Sequence, residues 1–408
     1  MLLNPRGVMR ILMFGWEFPP YNSGGLGTAC AGLTKALAKR GHEILFVLPR
    51  HLPLKSDYMQ FVFADDPRVS VTVINSLLTG YINVETYSFL RRALPPEIAK
   101  LYGNNIDEEV MRYAAKAAEL AKTLDFDVIH AHDWLAYPAG LAAKAVSGKP
   151  LVSHLHATEF DRTGHGHVNQ PVYDVERRGL HGSDMILAVS NYTKSIAVEK
   201  YGIDPARVMV VHNGVDPRDF VTLSGHRLKA YHPIVLFLGR LTLQKGPDWF
   251  LLAARRVLER RPDALFVIAG SGDMERQTVQ QAAEMGLAEN VIFAGFRRGQ
   301  EIDRLYQIAD VYIMPSVSEP FGITALEAVQ QGTPVIVSKQ SGVKEVLAGA
   351  LEADFWDTLK MADLIVRLLD EPSAAHAIAA EQRACLPHCT WDAAAEKCEA
   401  AYKKVTSQ

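Results

Sequence analysis

Cysteine is scarce in this chain. Four occur among 408 residues, Cys30, Cys385, Cys389 and Cys398, and no two form a C-x-x-C pair. A disulfide framework is therefore not expected, and reduced thiols in the cytoplasm are. Cys385, His388 and Cys389 stand close together, but Pro387 interrupts them and no four-ligand zinc pattern is completed. An excess of charge is missing too. The 43 basic and 46 acidic residues leave a net charge of −3. Such a balance offers no polyanion-binding surface, so nucleic acid is not expected as a partner. Long apolar runs are absent, which leaves no expected transmembrane segment. Ile11 to Phe14 is too short for a signal-peptide core and runs straight into a glycine loop, so it reads as a first strand. Met9 is a candidate native start, with Met1 to Val8 a dispensable extension.

What is present is enough apolar material for more than one core. Hydrophobic residues make up 48% of a chain too long for a single ordinary domain. Met9 to Gly15 reads as a strand, Trp16 to Gly27 as a loop, Thr28 to Lys39 as a helix and Glu43 to Leu48 as the next strand. This β-loop-α-β opening predicts a doubly wound parallel sheet with its ligands at the strand C-terminal ends. Val69 to Ile74 and Val84 to Phe89 are further expected strands, and Glu108 to Thr123 an amphipathic helix. Asp161 to Leu180 reads as a polar segment, with Arg162 and Glu176 as candidates for an acceptor groove. The alternation restarts at Pro233. The expected division is residues 1–213 as one Rossmann-like domain, 214–232 as linker, 233–387 as a second, and 388–408 as a helix returning to the first.

Chemistry-bearing residues gather where strands are expected to end. Ser318 to Ala328 follows the apolar run Val311 to Met314 and holds Glu319, Phe321, Gly322, Ile323 and Glu327 around the start of a helix. Free N–H groups at such a start attract phosphate, and two carboxylates can accept hydrogen bonds from sugar hydroxyls. Two isolated glutamates would ordinarily be a turn residue and a solvated helix residue. Arg240 and Lys245 supply a planar donor fork and a point charge after another strand, a pair suited to a diphosphate. The loop at Gly24 and Gly25 can present amides to phosphate, although it does not fit G-x-G-x-x-G. Asp133 ends the strand His-Ala-His-Asp-Trp, where it either contacts ligand or caps the following helix. His154 and His156 share one face of a strand if it stays extended. The irregular spacing of His154, His156, His165 and His167 does not predict a metal site.

The spacing from Glu319 to Glu327, with Pro-Phe-Gly between, resembles the signature of retaining nucleotide-sugar glycosyltransferases of the GT-B fold, glycosyltransferase family 4. The resemblance implies two doubly wound α/β domains facing a central cleft. It implies that Glu327 binds the nucleotide ribose, that Glu319 contacts the donor hexose, and that the Phe321, Gly322 and Ile323 amides hold sugar and phosphate oxygens. Gly24, Gly25, Arg240 and Lys245 would face the diphosphate, Asp133 the sugar or acceptor, and His156 the reacting centre. His-Ala-His-Asp-Trp is similar to the wording of glycogen and starch synthases, where Lys-Thr usually precedes the glycine pair; here Asn22-Ser23 stand instead. The implied activity is transfer of glucose from ADP-glucose or UDP-glucose to an α-glucan, with no cofactor and no metal. The alternatives are a lipid or other saccharide acceptor, a binding protein without turnover, and a sugar-nucleotide epimerase.

Overall fold

The computed structural model describes residues 7–18, 25–50, 59–63, 68–78, 82, 84–217 and 231–407, with backbone alone for 59–63 and 84. Gly24, Asn22-Ser23 and most of the expected linker lie outside them.

Two sheets organise the chain. The first runs edge to edge as Met59–Phe63, Val69–Asn75, Glu43–Arg50, Arg10–Phe14, Val128–His132, Leu151–Leu155, Met185–Ala188 and Val208–Val210. All of its pairings are parallel except that of the first two strands. The second runs as Val291–Gly295, Leu265–Ala269, Ile234–Leu238, Val311–Met314, Val335–Ser338 and Leu351–Ala353, and every pairing is parallel. The central strands are buried on both faces, as their continuous apolar runs dictate. This is the GT-B architecture of two Rossmann-like sheets with helices packed on them.

In each sheet the strand order reverses once. The first reverses between Arg10–Phe14 and Val128–His132, the second between Ile234–Leu238 and Val311–Met314. A crevice opens at the C-terminal ends of strands flanking such a switch point. Asp133 follows one crevice, and Arg240 and Pro315 to Gly322 follow the other.

Several local expectations need correction. Val84–Arg92 is a helix, not a strand. Its alternation of Val, Thr, Tyr and Phe suggested a strand, but Glu85 in the first turn and Arg91 and Arg92 in the last complement a helix dipole. Gln170–Gly182 is a helix inside the segment read as polar. Val172, Tyr173, Val175 and Leu180 pack on the first core, but Glu176 is buried among them and charged residues surround them, so the segment read as polar. The strands Met59–Phe63 and Leu351–Ala353 were not anticipated; both are edge strands.

The last helix, Trp391–Thr406, packs on the helix Gly25–Lys39 of the first sheet. A Cβ on Gly32 would stand 2.2 Å from the Trp391 ring, so only glycine admits that indole. Arg40 binds Glu399 at 2.6 Å and Asp392 at 3.1 Å. Val215 donates to the Cys389 carbonyl at 2.9 Å, so the two crossings between the sheets lie side by side.

Candidate active site

The second sheet builds a charged cleft. Lys245 ends a short 3-10 turn, Leu243–Lys245, and Gly246 follows it with a φ of +66°. A Cβ on Gly246 would lie 2.4 Å from the Pro315 carbonyl, so the two loops touch at backbone distance. That contact carries Lys245 Nζ to 2.5 Å from Glu319 Oε2, and Ser316 Oγ donates to the same oxygen at 3.1 Å. Glu319 is only 5% exposed, and its backbone is fixed by the Gln340 carbonyl and the Gly342 amide. A small cavity beside the pair is lined by Gly239, Lys245, Tyr312, Ser316, Glu319 and Thr324.

The helix Ile323–Gln330 opens onto this cleft. Gly322 sits at its N-cap with a φ of +110°, and no side chain caps the helix. Among the described residues the Phe321 and Gly322 amides donate to no group. The first-turn N–H groups of a helix also lack internal partners, so an anion is favoured here. The Phe321 ring is buried at 2% exposure, so only its backbone is available to a ligand. Glu327, four residues into the helix, is half-buried and accepts from Tyr306 Oη at 3.3 Å. Arg240 is half-buried just beyond its strand; neither it nor Glu327 lines the small cavity.

The first sheet builds a cleft of another kind. Asp133 has a φ of +59°, a left-handed conformation rare outside glycine. It does not cap the next helix with its side chain, since Tyr137–Ser147 has Ala136 at its N-cap. Its Oδ1 instead accepts from the His156 amide at 2.7 Å and the Ala157 amide at 3.3 Å. Burial pushes the Asp133 carboxyl up to about 7, although Arg162 and those two amides pull it down. Asp133 therefore fixes the loop that carries His156.

His156 belongs to a ladder of four imidazoles. His130 and His132 alternate on one strand, and His154 on the neighbouring strand is followed by His156 just past its end. The rings stack at centroid distances of 4.2 Å along each chain and 5.2–5.3 Å across. His132 Nδ1 lies 2.9 Å from His156 Nε2, His130 Nε2 lies 3.2 Å from His154 Nδ1, and His130 Nδ1 lies 2.6 Å from Tyr402 Oη. Burial holds all four below the ordinary imidazole range, His154 at about 3, so the rings are neutral. The alternation of His-Ala-His with Ser-His-Leu-His carried this signal as shared strand faces. What it lacked was the register that pairs His132 with His154.

The two clefts meet along a polar seam. Ser318 Oγ donates to Asp161 Oδ1 at 2.5 Å and lies 2.8 Å from Tyr192 Oη, while Ser190 Oγ donates to the Pro320 carbonyl at 2.5 Å. Glu345 accepts from the Asn191 and Tyr192 amides at 2.8 and 2.9 Å and lies 2.9 Å from His212 Nε2. Sequence reasoning missed Asp161, Ser190 and Ser318, whose partners lie more than a hundred residues away. It also missed Glu17, buried at 2% exposure, whose Oε2 accepts from the Gly27 amide at 3.2 Å in the first turn of Gly25–Lys39. Gly25 is the first residue of that helix. Of the two acceptor-groove candidates, Glu176 is fully buried, paired with Arg162 and bonded by Tyr201 Oη, so it does not line an open groove, whereas Arg162 is half-buried. His165 and His167 stand apart from the ladder, and His165 Nε2 lies 2.9 Å from Tyr192 Oη.

Residues 23–219 match the family described as Glycosyltransferase Family 4, and residues 224–385 match Glycosyl transferases group 1. An uncharacterized glycosyltransferase of Methanocaldococcus jannaschii is 31% identical over 352 residues, 83% of each chain. The glycogen synthase of Mycobacterium tuberculosis is 29% identical over 385 residues, 92% of this chain and 90% of that one. Among solved structures, sucrose-phosphate synthase from Thermosynechococcus elongatus superposes with a TM-score of 0.78 at 19% identity, over 98% of this chain and 99% of that one. At such identity the likeness speaks for the fold alone.

Proposed function

The chain belongs to glycosyltransferase family 4 and is a nucleotide-sugar glycosyltransferase of the GT-B fold, and from that premise we propose that it transfers glucose from ADP-glucose or UDP-glucose to an α-glucan with retention of configuration. The observation that carries the reading is the Lys245–Glu319 pair beside an uncapped helix start, set across a seam from Asp133 and His156. The first half suits a sugar diphosphate, and the second suits neutral hydroxyls.

In this mechanism the donor diphosphate lies against Lys245, Arg240 and the Phe321, Gly322 and Ile323 amides. Those groups offset the negative charge that develops as the bond from the anomeric carbon to phosphate oxygen breaks. They supply it without a metal at the leaving group. Glu319 orients the hexose and Glu327 the ribose. The acceptor hydroxyl attacks the anomeric carbon from the face of departure, and its proton passes to the leaving diphosphate oxygen. Glu319 is engaged by Lys245 and Ser316, and Asp133 by two amides, so neither acid is disposed as a nucleophile. That favours same-face attack over a covalent intermediate. His156 faces the sugar with the nitrogen that His132 does not use. Gly24, outside the described residues, and Gly25 are assigned to the diphosphate from the sequence pattern.

Among the described residues no helix is long and apolar enough to cross a membrane. We place the reaction in the cytoplasm, where nucleotide-sugars and reduced thiols coexist. The test is incubation with each nucleotide-glucose and a malto-oligosaccharide, with product anomers read by NMR. Chain extension through α linkages is expected. Failure with every donor would remove the glucan reading. Asn22-Ser23 in place of Lys-Thr supports one rival, another acceptor; transfer to a lipid extract but not to glucan would select it.

A further inference from the structure

The stacked histidines are two edge-to-edge pairs laid one on the other. In one pair His132 Nδ1 meets His156 Nε2 at 2.9 Å, and in the other His154 Nδ1 meets His130 Nε2 at 3.2 Å. Along each chain the rings lie face to face, 4.2 Å apart. A neutral imidazole has one N–H and one lone pair, so in each pair one ring gives the proton and the other accepts it. Burial keeps all four rings neutral. The remaining nitrogens decide which ring gives. Nε2 of His132 and Nε2 of His154 are buried, and among the described residues neither has a partner. If His156 gave a proton from Nε2, His132 would have to carry its own on that orphaned nitrogen. A buried N–H without an acceptor is rarer in folded proteins than an acceptor left bare. His132 therefore gives its Nδ1–H to His156 Nε2, and the proton of His156 is left on Nδ1. The second pair obeys the same constraint: His154 gives from Nδ1 to His130 Nε2, and His130 Nδ1–H turns to Tyr402 Oη at 2.6 Å.

On the reading above that His156 faces the sugar, we propose that His132 is a positioning residue that fixes the tautomer of His156, so that His156 presents an Nδ1–H donor to a hydroxyl oxygen of the bound sugar. His132 and Asp133 are consecutive, and together they hold His156 at two points. Asp133 Oδ1 takes its backbone amide at 2.7 Å, and His132 Nδ1 takes its ring. The face-to-face contact with His154 limits the tilt of that ring. His156 is half-buried, and among the described residues its Nδ1 makes no hydrogen bond, so this nitrogen is the one left for a ligand. With Nε2 spent on His132, no lone pair of the ring is left for the cleft. His156 then cannot take the proton of an acceptor hydroxyl; it can only give a hydrogen bond. Such a donor selects a neutral hydroxyl over an ammonium group, which has no lone pair to offer.

The test is a long-range ¹H–¹⁵N correlation spectrum of the full-length protein labelled at the histidine ring nitrogens, recorded without substrate. Comparison with His156→Asn identifies the His156 signals. A protonated Nδ1 and a bare Nε2 are expected for His156. His132→Phe keeps a ring in the stack but gives no proton, and should release His156 to the tautomer mixture of a free imidazole. His132→Asn, whose side-chain N–H stands near the place of the lost Nδ1–H, should keep His156 protonated on Nδ1. Steady-state kinetics with ADP-glucose or UDP-glucose and a malto-oligosaccharide give the second readout. His132→Phe should lower kcat about 10²-fold with donor KM little changed, the cost of a misplaced group at the reacting centre. His132→Asn should recover most of that loss. A native His156 protonated on Nε2, a tautomer unmoved in folded His132→Phe, or equal loss of kcat in both folded variants would overturn the assignment. If His132→Phe fails to fold by circular dichroism, the native and His132→Asn spectra decide. Absence of turnover in the native protein would remove the glucan reading, while the spectra still decide whether His132 sets the tautomer.

Discussion

The two switch-point crevices share a topology and differ in chemistry. In the second sheet the crevice presents a lysine, an acid and an uncapped helix start. In the first it presents neutral imidazoles and an acid whose bonds go to backbone. On the function proposed here, one would hold the anion that departs and the other would aim uncharged hydroxyls. Leaving-group stabilisation and positioning would then be divided between the two sheets, according to which loops carry charge.

The largest test of that contrast is Lys245→Ala. If Lys245 stabilises the departing diphosphate, kcat should fall about 10²–10³-fold, the range for loss of one preorganised electrostatic contact. Steady-state kinetics with circular dichroism as a folding control would measure it; an unchanged kcat would erase the distinction between the crevices. Asp133→Ala addresses the other side. It removes two amide contacts and the reason for a left-handed backbone, so stability should fall by about 1–3 kcal/mol in chemical denaturation. Turnover should drop while affinity for the nucleoside diphosphate stays the same.

Glu327→Gln should be milder. A carboxylate–hydroxyl hydrogen bond contributes about 1.5–3 kcal/mol, and the amide retains part of it, so donor KM should rise roughly tenfold with kcat nearly constant. Calorimetric titration with nucleoside diphosphate would check this, and a fall in kcat alone would move Glu327 out of the ribose contact. The smallest effect concerns the seam. Burial alone would raise the Glu345 carboxyl, but His212 and the Asn191 and Tyr192 amides hold it below its ordinary value. A depressed carboxylate contributes fully above about pH 4.5 and loses that contribution as pH falls through the lowered value. Scattering profiles should therefore show the two sheets separating at acid pH in the native chain. Glu345→Gln should have a looser seam already at neutral pH and a flatter acid response.

Local pattern made the site's parts legible. Strand, glycine-bearing loop and helix follow one another at Val311 to Gln331 because β-branched runs, Pro320, Gly322 and helix formers each act within a few residues. Reading failed where a segment's character depended on distant partners. Gln170–Gly182 hides its inner face behind Glu176, which is tolerable only because Arg162 and Tyr201 meet it. Val84–Arg92 looks like a strand until Tyr87 finds the Gly103 carbonyl at 2.6 Å.

The amino-acid sequence alone determined two doubly wound units and the acids and cations placed in the loops after their central strands. Side-chain chemistry and backbone periodicity are properties of neighbours along the chain. Only the tertiary structure decided that Lys245 grips Glu319, that Asp133 holds the His156 loop rather than a helix, that Ser318 meets Asp161, and that four histidines stack into one ladder. The first three of those pairings join residues 23 to 157 positions apart, and the ladder joins two neighbouring strands. Strand order and register set such distances, and no local pattern encodes them.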